Sequence, residues 1–139
     1  MYIDEIEVGQ SASIERDVTQ GGINQFAEVS GDHNPVHVDP AYAASTQFKG
    51  VIAHGILSAA YISSVLGNQL PGPGSIYMGQ TLKFRAPVRP GDKVVTTCTV
   101  KEVNRDKNRV LLVTICKVGD RVVLEGEATM LVQAKPVQG

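Results

Sequence analysis

Two short stretches carry the residue types that move protons and hold developing charge. The first is "SGDHNPVHVDP", Ser30 to Pro40, which gathers two carboxylates, two histidines, an amide and two prolines. A carboxylate and an imidazole, here Asp32 and His37, can hold one water between them, and each gives or takes a proton near neutral pH. The Asn-Pro turn between them folds the chain back, so both side chains can address one point. The Asn34 amide is placed to hydrogen-bond the backbone and lock that turn. Two other readings compete: a metal site, and a polar loop whose Asp caps a turn. His33 and His37 have the i, i+4 spacing of helical metal ligands, but Pro35 lies between them and drives Asn34 out of the α region. The pair does not share a helical face. No cysteine cluster or HExxH segment replaces it, so no metal ligand set is assigned.

The second stretch, "GVIAHGILSAA", runs through His54 and Gly55 into an uncharged helix. First-turn N–H groups of a helix have no internal partners and carry the positive end of its dipole. Gly55 has no side chain, so a ligand carbonyl can approach its N–H closely. Such donors stabilise an oxygen that becomes negative during reaction. An acid–base pair with an oxyanion site suits chemistry beside a carbonyl. His54 reads as structural, orienting the loop. Ser58, Ser63 and Ser64 lie inside the helix with no GxSxG elbow, which argues against a serine hydrolase. The segments "PGPGS" and "VGDR" lack both GxGxxG and the Lys-Ser/Thr of a phosphate loop.

The elements that must position these residues are legible in the hydrophobic period. "VTQGGINQFAEVSGD" predicts a helix with Ile23, Phe26 and Ala27 at helical spacing, Thr19 as N-cap and Gly31 as stop. Asp39 caps and Pro40 opens a short helix in "VDPAYAAS". From Gly55 to about Gln69 the chain is apolar or small on every side, which predicts a buried helix. After "LPGPGS" the period becomes two. "IYMGQTLKFRAPV", "DKVVTTCTVKEVN", "NRVLLVTICKVG" and "RVVLEGEATMLVQ" are four β candidates, joined in part by the hairpin-sized links "NRDKN" and "GD". "EIEVGQSASIERDV" adds a strand or two.

An uncharged helix with five or more antiparallel strands predicts an α+β hot-dog fold, the sheet wrapped around the buried central helix. A half-sheet leaves an edge exposed, so two copies are expected to pair edge to edge as a homodimer.

At 139 residues, the expectation is a single domain over 1–139 that needs no disulfide or metal for stability. Its 13 Lys+Arg and 14 Asp+Glu give a net charge of −1, which offers no electrostatic case for nucleic acid or an anionic membrane. No apolar run approaches the roughly 20 residues of a membrane span. The acidic, alternating start is unlike a signal peptide. Cys98 and Cys116 sit in alternating apolar stretches and read as small core residues in a reducing compartment, favoured over a disulfide. The expected location is the cytoplasm.

"FAEVSGDHNPVHVDPAYA" followed by "FKGVIAHGIL" resembles the hydratase-2 motif of the MaoC-like (R)-specific enoyl-CoA hydratases. Asp32, Asn34, Pro35 and His37 match its S-G-D-x-N-P-x-H core without a gap. The resemblance runs from about Ile6 to Val132 and includes "GSIYMGQTLKFRAPVRPGDKV". Ile56 departs from the Met common after the His-Gly pair, and His33 falls at a variable position. The resemblance implies a homodimeric hot-dog enzyme that hydrates trans-2-enoyl thioesters to the (R)-3-hydroxyacyl product, without a cofactor. Asp32 and His37 would hold the water, Gly55 N–H would bind the thioester oxygen, and Asn34 would orient the turn.

Lys83, Arg85 and Arg89 are candidates for the CoA phosphates or for an acyl-carrier protein. Ala59, Ile62, Ser63 and Leu66, one to three turns beyond Gly55, are candidates for the acyl pocket. Ile62 and Leu66 would close it for a short-chain preference. The rival readings are a dehydratase acting on acyl-carrier-protein substrates, a hot-dog thioesterase and a non-catalytic acyl-binding module.

Overall fold

The computed structural model describes residues 1–137 of the chain. A 3-10 turn at Ile3–Glu5 leads into β1 (Ser11–Asp17), then α1 (Gln20–Ser30), the short α2 (Pro35–Val38) and α3 (Pro40–Ala44), and α4 (Gly55–Asn68). The strands β2 (Ile76–Gln80), β3 (Lys83–Phe84), β4 (Lys93–Asn104), β5 (Arg109–Val118) and β6 (Arg121–Leu131) follow. All pairings are antiparallel, in the order β1-β4-β5-β6-β2, with β3 also on β6. This is the expected α+β hot-dog architecture.

The period-two pattern becomes the packing. Val94, Thr96, Cys98 and Val100 of β4, with Val110, Leu112, Thr114 and Cys116 of β5, are buried on the inner face. Against them α4 lays Ser58, Ile62, Val65 and Leu66, all buried. Cys98 and Cys116 are free thiols within this layer. Burial, with Cys116 nearby, pushes the Cys98 thiol up to about 12. The helix caps fall where the sequence places them. The Thr19 side chain accepts from Gly22 N–H, and Gly31 takes the left-handed φ of 78° that ends α1. Asp39 accepts from Tyr42 N–H ahead of Pro40.

Two expectations are corrected. The helix read as buried on every side is buried on one face only, because the sheet of a single chain can cover only one. Ala60, Ser63 and Gly67 are exposed, and Ile56 is 52% exposed. The stretch "IYMGQTLKFRAPV" is also two strands rather than one. It breaks at Thr81, where the chain passes over Gly126 of β6. Thr81 N–H donates to the Glu127 carbonyl at 2.9 Å, and Glu127 N–H donates to Thr81 Oγ1 at 2.9 Å. A Cβ on Gly126 would fall inside the Thr81 carbonyl. The glycine permits the crossing, and the crossing re-aims β3 toward the start of α4.

Gly126→Ala should therefore destabilise the protein by at least the about 1–3 kcal/mol of ordinary overpacking, because backbone rather than a flexible side chain must move. Urea denaturation measures this, and a change below about 0.5 kcal/mol, the size of an ordinary surface substitution, would contradict the crossing.

Candidate active site

The turn between α1 and α2 is built by its own side chains. Ser30 Oγ accepts from Asp32 N–H at 3.1 Å, and Asp32 Oδ1 accepts from Asn34 N–H at 3.2 Å. Asn34, at φ −52° and ψ 124°, is the N-cap of α2, and its side chain accepts from Val36 N–H. Pro35 opens that helix, so His37 emerges one turn later on its buried side. Asn34 thus locks the turn as its position suggested.

His37 is 9% exposed, and its Nδ1 lies 2.7 Å from the Ile52 carbonyl. A carbonyl only accepts, so Nδ1 carries the hydrogen and the neutral ring presents a bare Nε2. Asp32, His37 and His54 each place one polar atom within 4.8 Å of the others. Two hydrogen bonds of about 2.8 Å meeting at a tetrahedral oxygen span about 4.6 Å, so one water fits between Asp32 and His37. The same three residues invite a metal reading different from the His33/His37 pair. The His37 and His54 rings, however, are stacked at 3.9 Å with planes inclined by 29°. In-plane lone pairs of stacked rings run side by side rather than converge on one ion. His33 stands apart, 3.7 Å from Glu28.

The segment Ile52–Gly55 joins this pair to α4. Ile52 N–H donates to the Val36 carbonyl at 3.3 Å, and Ala53 N–H to the Val88 carbonyl at 2.7 Å. His54, the N-cap of α4, makes no side-chain cap bond, so the first N–H groups of a 14-residue helix have no side-chain cap. They open on a cleft of about 460 Å³ whose lining includes His37, Phe48, Gly55, Ser58, Phe84 and Leu124. The wall is mostly apolar, which strengthens any hydrogen bond made inside it.

The structure sorts the remaining candidates. Arg85 lines the cleft, and its Nη2 donates to Glu125 at 2.6 Å. The Arg89 guanidinium donates to the Phe48 carbonyl and braces the rim. Lys83 is brought to neither: it lies with Val113, Ile115 and Glu127 around a separate depression, so the three bases do not form one patch. Ala59, Ile62, Ser63 and Leu66 lie outside the cleft lining. Ile62 and Leu66 are wholly buried in the core, because they follow the face of α4 that meets the sheet.

Sequence reasoning missed Phe48, Ser58 and Phe84 as cleft residues. Gly55 is read there as a site of close ligand approach, and in the structure the space of its absent Cβ is held by Phe84. A Cβ there would lie 2.5 Å from Phe84 Cε1 and 2.6 Å from Cδ1. The signal that could have been followed is a phenylalanine, Phe84, set between the cations Lys83 and Arg85 in a stretch expected to be a strand.

An antiparallel sheet around one helix, with a carboxylate and an imidazole beside the start of that helix, defines a hot-dog protein equipped for proton transfer next to a carbonyl. Residues 4–122 match the model of the MaoC like domain, and the chain belongs to this family. It is 51% identical to the "(R)-specific enoyl-CoA hydratase" of Rhodospirillum rubrum over 134 residues, covering 96% of this chain and 93% of that one. It is 44% identical to the "3-hydroxybutyryl-CoA dehydratase" of Methylorubrum extorquens, with 97% and 86% covered. The solved R-hydratase PhaJ1 from Pseudomonas aeruginosa superposes with a TM-score of 0.90 at 43% identity, over 99% of this chain and 92% of that one.

Gly55→Ala should cost about 1–3 kcal/mol through its contact with Phe84. Adding Phe84→Ala should return most of that loss, with a coupling of about 0.5–3 kcal/mol in a thermal or urea double-mutant cycle. Additive losses would mean that the ring does not rest on the glycine.

Proposed function

We propose that the protein adds water across the double bond of a trans-2-enoyl-CoA to give the (R)-3-hydroxyacyl-CoA, and catalyses the reverse dehydration. The observation that carries this reading is the placement of two proton acceptors within one water's span, one of them, His37, on the wall of the apolar cleft onto which the uncapped start of α4 opens. Gly55 N–H donates to the thioester oxygen, which draws electron density from C3 and gains charge as the enolate forms. Asp32 and His37 hold the water, and one of them takes its proton as the C3–O bond forms. The pair then returns one proton to C2, so it ends in the state in which it began. The R hand and the CoA handle rest on the names of the 51% and 44% identical relatives.

Arg85 is the candidate for a CoA phosphate, since its partner Glu125 is itself 40% exposed and an exposed ion pair exchanges at little cost. No metal and no cofactor enters this scheme. Among the described residues no helix is long and apolar enough to cross a membrane. The two free buried cysteines support a cytoplasmic setting.

We also propose a homodimer. The support is the outer edge of the sheet, where Ile76, Tyr77 and Met78 of β2 are 51%, 38% and 52% exposed, together with the uncharged free face of α4. Sedimentation equilibrium should give twice 14.8 kDa, and a monomer at micromolar concentration would contradict the pairing.

Crotonyl-CoA tests the reaction. Conjugated enoyl absorbance should fall without free thiol, and chiral analysis should find the (R)-3-hydroxy product. Asp32→Asn and His37→Gln should each lower kcat by on the order of 10²–10⁴-fold, and the double variant little further. Stoichiometric thiol release would mean a thioesterase, and an (S) product or a near-normal Asp32→Asn enzyme would contradict the mechanism.

A further inference from the structure

We propose that His54 is the positioning residue for both members of the acid–base pair, an inference that rests on the hydration reading above. His54 is 3% exposed, and its Nε2 lies 3.0 Å from the Asp32 carbonyl. Its ring stacks on His37 at 3.9 Å and meets the edge of Phe26 at 4.9 Å. One imidazole therefore touches the backbone of the carboxylate and the face of the base.

The bond to Asp32 has a particular weight. The other hydrogen bonds of Asp32 run to Ser30 and Asn34, both two residues away. Among the described residues, His54 alone ties Asp32 by a hydrogen bond to a distant part of the chain. The turn would otherwise be held only by itself, and Asp32 is exposed.

Chemistry fixes the state of His54. The Asp32 carbonyl accepts, so Nε2 carries the hydrogen and Nδ1 is bare. That Nδ1 is buried and has no hydrogen-bond partner. A phenyl ring would fill the same space without burying a bare nitrogen. What imidazole adds is the N–H on Asp32.

Three measurements test this. Nitrogen-15 NMR of the resting enzyme should show His54 as the Nε2–H tautomer. His54→Phe should lower kcat for crotonyl-CoA by on the order of 10–100-fold with KM within about threefold, the signature of a misplaced acid–base group rather than of lost binding. His54→Gln, whose amide nitrogen reaches about as far as Nε2, should restore kcat to within about tenfold of the parent. The proposal is overturned by an Nδ1–H tautomer, by a folded His54→Phe enzyme with unchanged kcat, or by a Gln variant as slow as the Phe one. Should His54→Phe not fold, His54→Leu takes its place, and the tautomer decides alone if neither folds. The tautomer does not pass through activity. A parent unable to hydrate crotonyl-CoA would end the hydratase reading, while the tautomer would still judge the placement of His54.

Discussion

The hydrogen bond from His37 to the Ile52 carbonyl is the contact on which the site depends. At 2.7 Å it sets the tautomer of His37, and so decides that Nε2 meets the cleft as an acceptor. It also ties α2 to the segment that becomes the start of α4. Ile52 precedes Gly55 by three residues, and the intervening backbone is pinned to Val36 and Val88. The distance between the proton acceptors and the helix N–H donors is therefore fixed by one short, twice-anchored strip of chain. A base on a free loop would have to search for its place on each turnover. Here the search is done by folding.

The sheet supplies what that strip needs from the other side. Ala53 N–H reaches Val88 only because the chain returns toward α4 after β3, and β3 is aimed there by the crossing at Gly126. Phe84 then lands on Gly55. The two glycines thus serve one purpose from opposite ends: each removes a Cβ where another part of the chain must pass. The core holds the arrangement rigid, since Ile62, Val65 and Leu66 fasten α4 to the sheet below the cleft.

Much of this was legible in the sequence, for reasons of range. The caps at Thr19, Asn34 and Asp39 act over two or three residues, and the burial of β4 and β5 follows a period of two. Asp32, His37 and Gly55 could be proposed from the sequence because each stands in a short stretch whose residue types carry the chemistry. What escaped depends on long-range contact. The break at Thr81 is set by Gly126, 45 positions away in the chain, and Lys83 parts from Arg85 because of that break. The helical spacing of Ile62 and Leu66 from Gly55 said that they follow the thioester site along α4. It could not say which side of the helix the sheet would claim. His54 is read in the sequence only as orienting its loop, because the groups it touches lie 22 and 17 residues upstream.

An enzyme site of this kind is built from polar groups the fold declines to satisfy. The start of α4 has no side-chain cap and His54 Nδ1 has no partner, and each is a cost that an apolar core would avoid. The two costs differ in kind. The helix N–H groups face the cleft, so a ligand oxygen can pair with them and recover what folding left unpaired. The His54 nitrogen is sealed from solvent and gains nothing from a ligand. It is tolerated because the opposite side of the same ring holds Asp32. In the proposed reaction the first is stored binding strength, directed at the charge that develops on the thioester. The second is the cost of rigidity, set where an exposed carboxylate must not wander.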